Sequence, residues 1–160
     1  MNNIKLILFS CILFPLLISC EEETPPTPPD FTGTVWSGPT ITFTKADEAD
    51  PTDPANQDRL TDNVIITRGN QGGQIYNIAS ETMADKNTSP AGTEWAIGKI
   101  DNVASLQFKA FRAAVTKPQD IVGEDLVLHL IEDDIFLAVK FTAWSGGQKG
   151  GFRYERSTAE

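Results

Sequence analysis

The chain has 160 residues, with 13 Lys and Arg against 22 Asp and Glu, giving a formal charge of −9. That length holds one ordinary domain and not two, and 40% hydrophobic with 22% charged residues is the balance of a folded globular protein, not a disordered or fibrous one. The acid excess argues against nucleic acid, whose phosphates need a basic face; two cysteines and one histidine argue against a disulfide-dense scaffold, a Cys-rich zinc module and most histidine-dependent active sites.

Residues 1–19 read as an export signal. Lys5 supplies a short positive start, and Leu6 to Ile18 form an apolar stretch broken by Ser10 and Pro15. A spanning helix needs roughly 20 apolar residues, so this stretch suits a cleaved signal better than an anchor. It ends in Leu17-Ile18-Ser19-Cys20: an aliphatic residue, a tolerant position, a small residue and a cysteine. This resembles the lipobox of bacterial lipoproteins. The resemblance implies that Cys20 carries a diacylglycerol, that the chain is cut before it, and that the new amine is acylated. One acyl chain holds a protein only marginally to a membrane, whereas two or three hold it firmly. Cys11 would leave with the signal, and the loss of Lys5 would leave 12 basic and 22 acidic side chains, a net charge of −10.

Residues 20–30 read as a lipidated cysteine followed by a stalk. Glu21-Glu22-Glu23 resembles the acidic export run of Bacteroidota lipoproteins, which implies an outer-membrane protein facing outward. Thr24-Pro25-Pro26-Thr27-Pro28-Pro29 favours extended polyproline II at about 3.1 Å per residue. A stalk of that length lifts a domain a few nanometres at most.

Residues 31–160 read as a single all-β domain, an antiparallel β-sandwich or jelly roll of about eight strands. Strands are expected around Ile41 to Thr44, Val64 to Thr67, Gln74 to Ser80, Glu94 to Lys99, Leu106 to Ala110, Leu126 to Ile131, Ile135 to Thr142 and Phe152 to Glu155. Turn residues separate them: Arg68-Gly69-Asn70-Gln71-Gly72-Gly73, Ser89-Pro90-Ala91-Gly92 and Ser145-Gly146-Gly147. Lys109 to Thr116 is the one candidate helix, ending before Pro118. Trp36-Ser37-Gly38-Pro39, Asn56-Gln57-Asp58-Arg59, Thr93-Glu94-Trp95-Ala96 and Gly150-Gly151-Phe152 resemble segments of β-rich domains of exported bacterial proteins. That resemblance implies an extracellular setting and no catalytic residue.

Four groups of residues carry candidate chemistry. Asp47, Asp50, Asp53, Asp58 and Asp62, with Glu48, put six carboxylates within 16 residues of one connection. Ca²⁺ needs six to eight oxygens gathered by a turning loop, so these five aspartates are the candidate metal ligands. The alternative is a solvated loop, with Arg59 pairing Asp58 or Asp62.

Glu132-Asp133-Asp134 sits between two strands as a hairpin turn. A glycoside hydrolase would need another carboxylate opposite it, Glu94 or Glu81. Trp36, Trp95 and Trp144 are candidate sugar platforms, because an indole offers apolar area with a polar N–H. Alternation along Ile135 to Phe141 puts Trp144 on the same face as Lys140 and Thr142, away from the core; the alternative is that all three tryptophans cap the core. His129, in an apolar strand, reads as a satisfied core residue.

The expected function is thus a lipid-anchored envelope lipoprotein, its membrane contact made through the anchor. Its sandwich binds a glycan or an envelope protein. A structural or adhesive role with a calcium-stabilised loop is the alternative, and a small glycan-active hydrolase is the weaker one.

Overall fold

The computed structural model describes residues 31–160. The expected signal segment, Cys20 and the expected stalk lie outside these residues. The fold is all-β and sandwich-like, as the alternation predicts, with nine strands rather than eight. Strands β2 (Gly38–Lys45), β9 (Phe152–Thr158), β8 (Ile135–Trp144), β7 (Asp125–Leu130) and β6 (Thr93–Ile97) form the main sheet in that spatial order. β1 (Thr34–Trp36) adds a parallel pairing with the start of β8. β3 (Asp58–Arg59), β4 (Ile65–Arg68) and β5 (Ile75–Asn77) form a small antiparallel second sheet.

Period-two alternation decides what the main sheet buries. Leu126, Leu128 and Leu130 of β7, Leu137, Val139 and Phe141 of β8, and Phe152 and Tyr154 of β9 belong to one core cluster. Val64, Ile66 and Ile75 reach that cluster from the second sheet. The short helix α1 (Phe111–Val115) contributes Phe111 and Val115, within the segment expected to be helical.

Two segments depart from expectation. Leu106 to Ala110 is not a strand. After a 3-10 turn at Ile100–Ser105 the chain pairs with β6 at a single bridge, where Lys109 and Trp95 exchange backbone hydrogen bonds of 2.9 and 2.8 Å. The acidic connection is also more ordered than a solvated loop. It holds a 3-10 turn at Pro54–Asn56, capped by the Asp53 side chain, and then strand β3.

The register gives the domain two poles. The Thr34 N–H donates to the Asp134 carbonyl at 2.9 Å, so the chain enters beside the β7–β8 turn. β8 runs from this entry pole to Trp144 at the far one, where Trp144 pairs with Phe152 and Lys45 pairs with Phe152 from the other side.

Candidate functional site

Each candidate tryptophan is drawn into the packing. Trp95 is 1% exposed, wedged against Phe111 at a centroid distance of 5.0 Å, and its indole N–H donates to Thr93 Oγ1 at 3.1 Å. It offers no surface to a ligand. Trp144 is half-buried and packs on the core cluster, on the opposite face from the one that alternation assigns. The reason is a β-bulge: between Phe141 and Ala143 the register with β9 slips by one residue, and Trp144 comes to lie opposite the inward-facing Phe152. One extra residue reverses the face of every side chain beyond it. Trp36 is also half-buried against the core, with the Arg156 guanidinium 6.0 Å from its ring centroid.

The five aspartates do not converge on one cage. Asp50 accepts from the Thr52 N–H and hydroxyl, both at 2.8 Å, and Asp53 accepts from the Ala55 N–H at 2.9 Å. Hydrogen bonding to Thr52 holds the Asp50 carboxyl below the usual range. Asp58 turns inward to Arg156, Asp62 pairs with Arg59 at 3.0 Å, and Asp47 faces Lys149 at 3.6 Å. Among the described residues no group of three or more His, Cys, Asp or Glu side chains is placed to hold a metal ion. The spacing that looked like a ligand set is spent on local turns and ion pairs.

The hydrolase arrangement fails for a different reason. His129 lies on the outer face of the main sheet, not in the core. Its Nδ1 is 2.8 Å from Glu94 Oε1, its Nε2 is 3.3 Å from Asp134 Oδ1, and its ring stacks on Phe136 at 3.9 Å. The imidazole fills the space between two carboxylates where a sugar and a water would have to stand. Asp133 instead accepts from Thr61 and Asn63, and Glu81 accepts from the Asn77 and Ala91 N–H groups.

A groove of about 800 Å³ lies at the far pole. Residues 69–73 form one wall, residues 82–87 the other, and Pro51 and Tyr76 complete the lining. Its size is that of a small-molecule site. Buried polar side chains hold both walls. Lys45, 1% exposed, donates from Nζ to Asn70 Oδ1 at 2.9 Å, and Asn70 donates in turn to the Ala49 carbonyl. Arg68, 2% exposed, donates to the carbonyls of Gly73, Ser145 and Gly151 at 3.2, 3.0 and 2.8 Å, and its guanidinium lies 4.1 Å from the Trp144 ring centroid. Gln74 donates to the Asp85 and Thr88 carbonyls at 2.8 and 2.7 Å, fixing the second wall.

Two cations are therefore buried at this pole, and their bonds go to neutral oxygens. Burial, then the nearby Arg68, lowers the Lys45 pKa. Burial lowers Arg68 to about 10, against the pull of Asp47. Gly150 (φ +73) passes against Asn70 Oδ1 and the Gly69 carbonyl, where a Cβ would collide.

Tyr76 is 3% exposed. Every buried side-chain nitrogen or oxygen among the described residues has a hydrogen-bond partner. Tyr76 is one of the residues that line the groove. Burial, and then the Asp50 and Glu81 carboxylates, push its phenol up, which keeps it a proton donor. A smaller depression of about 290 Å³ lies on the outer face, with Lys140 and Asp125 in it paired at 2.9 Å.

No family model matches the chain, and no curated protein or solved structure matches it. Sequence reasoning missed Lys45, Arg68, Gln74 and Tyr76 as the makers of this groove. One signal was present: Lys45 continues the face of Phe43, two residues on, which is also the face of Tyr154 across the register.

Proposed function

We propose that this protein is a lipid-anchored lipoprotein of the outer membrane, acylated at Cys20 and facing outward, whose β-sandwich is a binding module for envelope or environmental glycan. The observation that carries the proposal is polarity. The chain enters at the pole of the β7–β8 turn, and the groove opens at the pole where β8 ends. A domain tethered through residue 31 would turn its groove away from the lipid. The groove's walls are held by Arg68, Lys45 and Gln74 before any ligand arrives, which reduces the ordering cost of binding. The acidic net charge fits a sugar better than nucleic acid.

The test is metabolic labelling of cells with an alkyne fatty acid, combined with protease treatment of intact cells. Labelling should be present in the native chain and absent in Cys20→Ala, and protease should reach the native chain from outside. An unlabelled native chain would overturn the anchor. A labelled chain that resists protease would place the domain on the inner leaflet.

A further inference from the structure

We propose that the side chains of Lys45 and Asn70 join covalently, as an amide between Nζ and Cγ, in a reaction that the folded domain carries out on itself. Lys45 is 1% exposed, and its Nζ donates to Asn70 Oδ1 at 2.9 Å. That hydrogen bond sets the amine against the carboxamide it attacks. The carboxamide is held from its other end, where Nδ2 donates to the Ala49 carbonyl at 2.9 Å. Gly150 closes over the pair, so near Asn70 Oδ1 that a Cβ there would collide. Holding nucleophile and electrophile together in this way turns a rare encounter into a unimolecular step.

The state of the amine fits the same role. An ammonium carries three hydrogens and no lone pair. Nζ meets Asn70 Oδ1 and, at 3.4 Å, the Gly150 carbonyl, two acceptors for the two hydrogens of a neutral amine. Burial, and then the Arg68 charge, shift Lys45 toward that neutral form, and the charges of Asp47 and Asp50 oppose the shift without cancelling it. A charged lysine here sits beside a second buried cation with neutral oxygens as partners, which costs free energy. Amide formation removes that charge permanently.

The step balances without a co-reactant. The Nζ lone pair attacks Cγ, the Cγ–Nδ2 bond breaks, one proton passes from Nζ to Nδ2, and ammonia leaves. Nothing is oxidised or reduced. Asn70 lines the groove, which gives the ammonia a way out. The product ties the end of β2 to the β4–β5 connection. β2 is the outermost strand of the main sheet, and β4 and β5 belong to the second, so one bond links the two sheets and fixes the groove wall at residues 69–73.

The experiment is mass spectrometry of the full chain, intact and after trypsin. The cross-linked chain should be lighter by one ammonia, about 17 Da. Trypsin should fail to cut after Lys45, and residues 69–86 should hang as a branch from the peptide that contains it. Lys45→Met and Asn70→Ala should each have the full mass of their own sequence. Asn70→Asp should lose one water, about 18 Da, in place of ammonia. Native chain refolded from denaturant in buffer alone should show the same loss as chain isolated from cells.

A native chain of full mass would overturn the inference, and so would separate, unbranched peptides after trypsin. Loss of ammonia that persists in Lys45→Met would overturn it too, because Asn70 would then have cyclised on its own backbone. The native measurement decides the matter even if a variant fails to fold.

Discussion

Asp58 and Arg156 form a bidentate ion pair between the two sheets, with Nε to Oδ2 at 2.7 Å and Nη2 to Oδ1 at 2.8 Å. Tyr154 donates its hydroxyl to the same Oδ2 at 2.6 Å. Asp58 lies on β3 and the other two on β9, so three side chains of the core layer tie the small sheet to the large one. Fork geometry suits Arg here, and lysine could not reproduce it.

Removing one partner of such a pair strands the other without water. Asp58→Ala should cost roughly 3–5 kcal/mol in denaturant unfolding, because it leaves a buried guanidinium. The double variant Asp58→Leu with Arg156→Met should cost less than Asp58→Ala alone. A double variant as unstable as the sum of the two singles would mean that the two groups are not coupled.

How much of this was legible in the sequence depended on whether the deciding contact was local. Periodicity is local, so the strands around Ile41, Val64, Ile75, Trp95, Leu126, Ile135 and Phe152 stand where alternation placed them. Asp58 is different. In the chain it sits among five other carboxylates, and nothing nearby marks it as the one that turns inward. Its partner is 98 residues away. Trp144 failed for another reason: alternation gives its face only if the register never slips, and the bulge between Phe141 and Ala143 is a property of two strands together. The groove was hidden for both reasons, since Arg68 meets Ser145 and Gly151 only once the sheets have stacked.

Trp144 supplies the next test. A half-buried tryptophan packed on Phe111 and covered by Arg68 should behave as core. Trp144→Ala should cost about 2–3 kcal/mol, below the 3–5 of a fully buried aromatic. A cost within about 0.5 kcal/mol would mark it as surface.

Arg68 spans three backbone carbonyls, two of them in the β8–β9 connection. Arg68→Met would leave those oxygens without their donors and should cost about 2–3 kcal/mol, partly offset by relief from burying a charge. Hydrogen exchange should speed up in residues 69–73 and 145–151 before anywhere else. Uniform acceleration across the domain would mean that Arg68 supports the whole sandwich and not the groove wall.

The alkaline limb of stability follows from two tyrosines, the full complement of the chain. Burial first, and then Asp58, push the Tyr154 phenol well above the usual tyrosine range; burial also raises Tyr76. An unfolded tyrosine ionises near pH 10. Above that pH the unfolded state therefore releases protons that the folded state keeps, so these groups make stability fall as pH rises. Arg68 and Lys45, both lowered by burial, act in the opposite sense: the unfolded state keeps protons that the folded state loses. Comparing the native chain with Tyr154→Phe isolates the tyrosine part, and the alkaline fall should be shallower in the variant. Absorbance of tyrosinate near 295 nm should rise at higher pH in the folded chain than in the unfolded one. A half-amplitude step near pH 10 would show that one tyrosine is freely solvated.

Calcium gives the sharpest prediction about the acidic connection. Each aspartate from Asp47 to Asp62 already has a partner: Lys149, Thr52, the Ala55 N–H, Arg156 and Arg59 in chain order. A metal would have to break several of these before it gained a ligand, and Asp58 could not leave without stranding Arg156. The thermal midpoint of the full chain in detergent should therefore be the same in EDTA and in millimolar calcium. A site filled at about 100 times its dissociation constant would add roughly 2.7 kcal/mol and raise the midpoint by on the order of 10 °C. A rise of that size would mean that residues 46–62 rearrange around the ion. In that case the wall of the groove would change with it, because Asn70 is bonded to the Ala49 carbonyl and Pro51 lines the opening.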